Sequence, residues 1–180
     1  MHLVPGRSNI DYSMDFNESL ARHMNTVRRA RTEDIPSILE LLLQVDMVHH
    51  NGRPDLFKGN ATKYNAEELV AIIENEKTPL FVCVDEENTV LAHMFCIIKQ
   101  ELNDSVITDI KTLYIDDICV DEKARGLGVG RTMFQFIKDY AKEEGFYNIT
   151  LNVWCCNPDA MKFYEAMGME PQKIGMEMLL

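Results

Sequence analysis

The stretch that decides the fold is ICVDEKARGLGVG, residues 118–130, in which an apolar run is followed by three closely spaced glycines. Apolar residues recur at helical spacing directly after the glycines, so the stretch predicts a turn from a strand into a helix. Glycine permits positive φ and lets the backbone approach a ligand closely. The first turn of a helix presents N–H groups without intrahelical partners, and these attract an anion. The pattern therefore fits either a plain tight turn or a phosphate-binding loop, with Arg125 and Arg131 as further phosphate contacts.

Two other nucleotide-binding loops do not fit these glycines. The dinucleotide fingerprint is Gly-x-Gly-x-x-Gly, whereas Gly126, Gly128 and Gly130 follow the pattern Gly-x-Gly-x-Gly. A Walker loop needs Gly-Lys followed by Ser or Thr, which does not occur here. The spacing therefore excludes a Walker loop and does not match the dinucleotide fingerprint.

The residues before this stretch predict an antiparallel meander. Strands are expected over 79–84, 90–99 and about 106–120, and the loops between them are short enough for hairpin connections. An earlier short strand is expected over 27–30. Between it and the meander we expect a helix from an N-cap at Thr32 to about Val48. A second helix is expected to begin at Asn65, where Glu68 completes a capping box.

The residues after the glycines predict alternating helices and strands. A helix should end at Gly145, and a strand should follow over 147–154. The next helix should carry Pro158 in its first turn and end at Gly168. The apolar tail, residues 174–180, predicts a last strand. Residues 1–25 are expected to be a flexible leader or extension, and residues 26–180 a single α/β domain with a mixed sheet of the α+β kind.

Composition limits the function further. The chain has 180 residues, a net charge of −11 and five cysteines. An acidic chain disfavours nonspecific binding to nucleic acid, which requires Lys and Arg against phosphate. The cysteines show neither a disulfide framework nor zinc spacing, so we expect a reduced, cytoplasmic protein without a metal. No apolar run is long enough to span a membrane, and no membrane partner is expected.

At two places the sequence resembles the GNAT superfamily of N-acetyltransferases. Arg125, Gly128 and Gly130 match the family's Arg/Gln-x-x-Gly-x-Gly/Ala signature, and residues 157–164 match its Asn-x-x-Ala-x-x-Phe-Tyr pattern. The order of predicted elements agrees from Val27 to the C-terminus. The resemblance implies an antiparallel meander followed by a β-α-β-α-β half, whose central parallel strands splay apart.

The resemblance also implies a cosubstrate and the residues that hold it. Acetyl-CoA would place its pyrophosphate on the glycine loop and its pantetheine arm between the splayed strands, where backbone groups need partners. The expected cofactor-binding residues are Ile118, Cys119, Val120, Arg125, Gly126, Leu127, Gly128, Val129, Gly130, Arg131, Asn157 and Tyr164. The second substrate would be a primary amine of a small molecule or a peptide, and the sequence does not identify it.

Two side chains are the expected catalytic residues. Tyr164 matches the family's general acid, which protonates the CoA thiolate, although its spacing also fits a tyrosine packed in the helix stripe. Asp116 and Asp117 are consecutive on a predicted strand and should point to opposite faces, with Asp116 on the face of Ile118. Asp116 is the expected base, with three alternatives: it orients a water relay, binds a cationic substrate, or is a solvated surface acid. The loop histidines after the first helix are the other candidate bases.

Three further possibilities stay open. The same fold serves a non-catalytic acyl-CoA-binding or sensor module, which would have no need of a general acid at Tyr164. A nucleotide-dependent oxidoreductase would bind NAD(P)H rather than CoA. Homodimers are common in the family, so a homodimer is one expected assembly.

Overall fold

Within residues 25–180, five strands form a single sheet in the order β1-β2-β3-β4-β5. The architecture comes from a computed structural model that describes residues 25–180, and the proposed leader lies outside the described residues except for Asn25. The strands are β1 (Thr26–Arg29), β2 (Leu80–Val84), β3 (Val90–Lys99), β4 (Thr112–Val120) and β5 (Asn148–Leu151). Neighbouring strands from β1 to β4 are antiparallel, and β4 and β5 are parallel. The mixed sheet and the antiparallel meander are thus confirmed.

The described part of the chain contains four α-helices, and the sequence signals at Asn65 and Pro158 mark the start of two of them. The four helices are α1 (Ile35–Gly52), α2 (Ala66–Glu74), α3 (Val129–Glu143) and α4 (Pro158–Ala166), with short 3-10 turns at Thr32–Asp34 and Glu122–Ala124. Asn65 and Glu68 form the predicted capping box before α2. The side chain of Asn157 caps α4, and Pro158 occupies its first turn. No helix within residues 25–180 is long and apolar enough to cross a bilayer.

The helices cover both faces of the sheet and bury an apolar core on each. The core under α3 and α4 includes Phe81, Met94, Leu113, Ile115, Met133, Phe134 and Ile137. The core under α1 and α2 includes Ile38, Leu41, Leu42, Leu69, Leu80, Val82 and Phe95. Each fully buried side chain of this size stabilises the fold by roughly 1.5–3 kcal/mol. The two cores therefore fix β3 and β4 rigidly in the middle of the molecule.

The first helix differs from its predicted bounds at both ends. A 3-10 turn occupies Thr32–Asp34, so Thr32 is not the N-cap, and α1 starts at Ile35. The helix also continues past Val48 to Gly52, because the backbone amide of Arg53 still bonds to the carbonyl of His49 at 2.9 Å. The residue before a proline is disfavoured in helical conformation. Pro54 therefore ends the helix.

Three predicted strands are shorter or absent. The strand expected over 147–154 is limited to Asn148–Leu151. The strand expected from about Val106 begins only at Thr112, because the side chain of Asp104 accepts hydrogen bonds from the amides of Val106 and Ile107, each at 2.8 Å. Such local bonds compete with strand pairing. The tail, residues 174–180, forms no strand and is exposed. Its apolar alternation is a strand signal, but no described strand pairs with it, so the second half of the fold ends at α4.

Candidate active site

The parallel pair β4–β5 opens part of the way along its length. Cα pairing runs from Thr112 opposite Asn148 to Ile115 opposite Leu151, and then stops. β4 continues to Val120 in its pairing with β3. No described residue pairs with residues 116–120 on the side of β5. The backbone groups on that edge need hydrogen-bonding partners, so the β4–β5 opening is a suitable place for an extended polar ligand.

A β-bulge lies at the narrow end of this opening. Phe95 pairs with Asp117 whereas Cys96 pairs with Ile115, which leaves Asp116 as the extra residue on β4. A bulge resets the alternation of side chains between the two faces of a sheet. Ile115 and Ile118 accordingly both pack in the core under α3 and α4, although they are three residues apart.

The bulge changes the predicted direction of Asp116. Its carboxylate accepts hydrogen bonds from Lys63 Nζ at 2.6 Å and from Tyr64 Oη at 3.1 Å. The ring of Tyr64 stacks at 5.3 Å on Phe95, in the core under α1 and α2. Ile118 packs on the opposite face. The expectation that Asp116 shares a face with Ile118 and opposes Asp117 was therefore wrong, because strict alternation does not hold across a bulge.

The neighbouring carboxyl group, Asp117, faces a buried histidine that sequence reasoning missed. His93 Nε2 lies 3.9 Å from Asp117 Oδ2, and the imidazole is fully buried. Burial lowers the pKa of His93 to about 3, so the ring is neutral and the contact is not an ion pair. Neither ring nitrogen has a hydrogen-bond partner among the described residues. In the sequence, His93 is a single polar residue within the apolar run of β3, and this feature could have marked it as a buried polar group.

Burial also raises the pKa of Asp117 to about 7, and the charges of Asp46 and Asp116 add to the effect while Lys63 opposes it. Because the folded-state pKa lies above the ordinary value of about 3.9, folding favours the protonated acid. The stability of the protein should therefore fall as the pH rises from about 4 to 7.

Replacing Asp117 with asparagine should remove this dependence. Between about pH 5 and 6.5, the free energy of unfolding of the variant should rise relative to that of the wild type by up to about 1.4 kcal/mol for each pH unit. Urea denaturation of both proteins across this range measures the difference. A difference that does not change with pH would contradict the raised pKa.

The glycine loop gives α3 an open N-terminus. Gly128 is the N-cap with φ of 83°, and no side chain of the described residues caps the helix. Gly126 also has a positive φ, 79°. L-residues with a side chain rarely adopt this conformation. The backbone amides at the start of the helix have no intrahelical partners and are thus available to an anion. Val129 is buried and anchors the helix, whereas Leu127 is exposed.

The other loop residues that were predicted to bind the cofactor lie at the rim of the glycine loop. Arg125 and Arg131 are exposed, and Arg125 Nε donates to the carbonyl of Val120 at 3.2 Å. Gly130 has no positive φ, and a Cβ there would meet Phe163 at an ordinary 3.5 Å. This close packing brings α4 directly against the N-terminus of α3. The two motifs, far apart in sequence, therefore lie next to each other.

Asn157 and Tyr164 belong to the α4 side of this site. The Oδ1 of Asn157 accepts from the amide of Ala160 at 3.1 Å, so its first role is to cap the helix. The ring of Tyr164 packs between Phe134 and Phe163, with centroid distances of 6.4 and 5.4 Å. Burial, with a smaller effect of the charge of Asp117, raises the pKa of Tyr164 to about 12. Its hydroxyl is therefore protonated at neutral pH and can donate a proton.

The candidate histidine bases are not loop residues. Both lie in the last turn of α1. His50 Nδ1 donates to the carbonyl of Phe57 at 2.8 Å, and the ring of His49 lies 5.1 Å from that of Phe57. Burial lowers the pKa of His49. Through these contacts the two histidines hold the 53–65 segment against α1.

Comparison with known proteins identifies the class. The profile of the acetyltransferase (GNAT) family matches residues 46–169, which include the β4–β5 opening, the glycine loop and α4. The match covers more than half of the chain. This protein therefore belongs to the GNAT family of acetyltransferases.

Individual relatives share the fold with different degrees of similarity. A mutant of the BH1408 protein from Bacillus halodurans is 34% identical with a TM-score of 0.82, over 86% of this chain and 99% of that one. Glucosamine 6-phosphate N-acetyltransferase from Arabidopsis thaliana is 30% identical in an alignment of 97 positions that covers 47% of this chain and 63% of the plant enzyme. An aminoglycoside acetyltransferase from an uncultured soil metagenomic sample is 18% identical with a TM-score of 0.67, over 88% and 97% of the two chains, a likeness of fold alone.

Proposed function

We propose that this protein transfers the acetyl group of acetyl-CoA to a primary amine of a small molecule or a peptide, by direct attack in a ternary complex. The observation that carries the proposal is the β4–β5 opening. Its unpaired edge begins at Asp116 and leads along β4 into the glycine loop at the open N-terminus of α3. Membership of the GNAT family supports the same conclusion.

In this proposal the backbone binds most of acetyl-CoA. The pantetheine arm bonds to the edge of β4 at Ile118, Cys119 and Val120. Cys119 contributes only its main chain, because its side chain is buried on the face of α1 and α2. The pyrophosphate lies on residues 126–131, with Arg125 and Arg131 beside it, and Asn157 contacts the cofactor from α4.

The reaction needs a neutral amine and a protonated leaving thiolate. Tyr164 is the proposed acid for the thiolate, because its hydroxyl is protonated at neutral pH and its helix packs against the glycine loop. Asp116 is the proposed base or the residue that orients a water relay. The carboxylates of Asp46 and Asp116 lie close enough to Asp117 for their charges to raise its pKa, and acidic groups of this kind favour the approach of a cationic amine.

Release of free thiol from acetyl-CoA tests the proposal. The full chain should release thiol over many turnovers with at least one member of a panel of diamines, amino sugars and peptides, and no more than one equivalent per protein with the matched alcohols, which lack a nucleophilic nitrogen. Thermal shift with CoA and with NAD, measured in parallel, should show stabilisation by CoA only. Binding of acetyl-CoA without transfer to any amine would identify a non-catalytic acyl-CoA-binding module instead.

The location is proposed from the cysteines. All five are unpaired, and Cys155 and Cys156 are exposed. Exposed free thiols persist in a reducing compartment. This supports the cytoplasm as the place where the protein acts.

A further inference from the structure

Lys63, in the segment between α1 and α2, reaches the narrow end of the β4–β5 opening. Its backbone amide donates to Asp46 Oδ2 at 3.1 Å, and its ammonium lies 5.5 Å from the centre of the Tyr64 ring. The ammonium contacts Asp116 Oδ2 at 2.6 Å. Tyr64 donates to the same oxygen from its hydroxyl. These contacts hold one primary amine of the protein in a defined position.

That position adjoins the place where the proposed reaction needs its acceptor amine. Asp116 is the first residue of β4 beyond its pairing with β5, so the ammonium that contacts its carboxylate lies beside the end of the proposed pantetheine arm. The ammonium of Lys63 is next to the carboxylate of Asp116, which is proposed to take a proton from the acceptor. Burial alone would lower the pKa of Lys63, but the hydrogen bond and charge of Asp116 outweigh it and raise the pKa. The amine is therefore charged until Asp116 removes a proton, as for any external alkylamine.

We propose that Lys63 is itself an acetyl acceptor, so that the protein acetylates its own Lys63 from acetyl-CoA. This inference rests on the proposed function. Asp116 takes one proton from the ammonium, and the freed electron pair of Nζ attacks the thioester carbonyl carbon. The N–C bond forms and the C–S bond breaks. The second nitrogen proton leaves to solvent, and the departing sulfur receives a proton from Tyr164. The products are Nζ-acetyl-lysine and CoA with a free thiol.

The modification would change the site. Acetyl-lysine carries no charge, so its ion pair with Asp116 would be lost. The carboxylate would then be available to the ammonium of an external acceptor. Lys63 is thus both a first acceptor and a residue that controls access of the next one.

Mass spectrometry of the full chain incubated with acetyl-CoA and no added amine tests this inference. Peptide mapping should show acetylation at Lys63 at least about ten times faster than at Lys58, an exposed lysine of the same segment that reports chemical acetylation. Tyr164→Phe should slow acetylation of Lys63 and leave the Lys58 background unchanged. Lys63→Arg should abolish the enzymatic component. The rate constant should not depend on protein concentration, because the reaction is intramolecular.

The parallel thiol-release assay separates this inference from the proposed function. If the protein acetylates an external amine while Lys63 reacts no faster than Lys58, self-acetylation is wrong and the transferase function stands. A rate that rises with protein concentration would likewise overturn the intramolecular step. If acetyl-CoA neither binds nor reacts, the proposed function fails, and the inference fails with it.

Discussion

Replacing Tyr164 with phenylalanine should lower kcat for acetyl transfer by roughly 100-fold or more, the usual size of a general-acid contribution. The affinity for CoA should not change, because the phenylalanine ring keeps the packing against Phe134 and Phe163. The variant loses only the hydroxyl, whose raised pKa keeps it protonated at neutral pH. Steady-state kinetics for both substrates, together with titration of CoA, measure the two effects separately.

A second tyrosine provides the matched control. Tyr140 lies on α3 and its ring packs against Phe81 and Phe136, away from the glycine loop. Burial raises its pKa as well. Tyr140→Phe should therefore leave kcat unchanged, which separates the position of the hydroxyl from a general effect on packing. Equal kcat values for wild type and Tyr164→Phe would remove Tyr164 from the mechanism.

Replacing Asp34 with alanine should destabilise the fold by roughly 3–5 kcal/mol, the cost of breaking a buried ion pair from one side. The carboxylate is 5% exposed and contacts both terminal nitrogens of Arg28, at 2.7 and 2.9 Å. It also accepts from the backbone amide of Arg31 at 2.8 Å. The substitution would leave the guanidinium without its carboxylate where β1 leads into α1. Urea denaturation at neutral pH measures the loss.

The loss should depend on pH. Burial by itself would raise the pKa of Asp34, but the hydrogen bonds from Arg28 and Arg31 and the charge of Arg28 outweigh it, and the pKa is lowered. A carboxyl group with a lowered folded-state pKa contributes stability above its unfolded pKa of about 3.9, and the contribution disappears as the pH falls through the folded value. The difference between wild type and variant should therefore shrink below about pH 4.

An exposed acid gives the comparison for this variant. Asp139 lies 4.0 Å from Lys142 on the surface of α3 and is 53% exposed. Surface pairs of this kind contribute little, so Asp139→Ala should change the free energy of unfolding by less than about 1 kcal/mol. If Asp34→Ala costs no more than Asp139→Ala, the pair of Arg28 and Asp34 does not stabilise the junction of β1 and α1.

Much of the fold and the outline of the site could be predicted from local patterns. The capping box at Asn65, the cap at Asn157 and the glycine loop at 125–130 each depend on residues within a few positions of one another. The strands 80–84 and 90–99 follow from short apolar runs on either side of a hairpin turn. Such signals act over a single turn or hairpin, and so they can be recognised without knowledge of the rest of the chain.

The tertiary structure alone decided how the chemical groups are arranged. The bulge at Asp116 depends on the register between β3 and β4, and it turned this carboxylate away from the face that strict alternation assigns to it. The contact with Lys63 joins residues 53 positions apart, and the burial of His93 depends on helices from another part of the chain. The sequence by itself therefore determined the family, the order of elements from β1 to α4 and the glycine loop. The contact between Asp116 and Lys63 depended on strand register and long-range packing, because neighbouring residues in the sequence encode neither the register nor the packing.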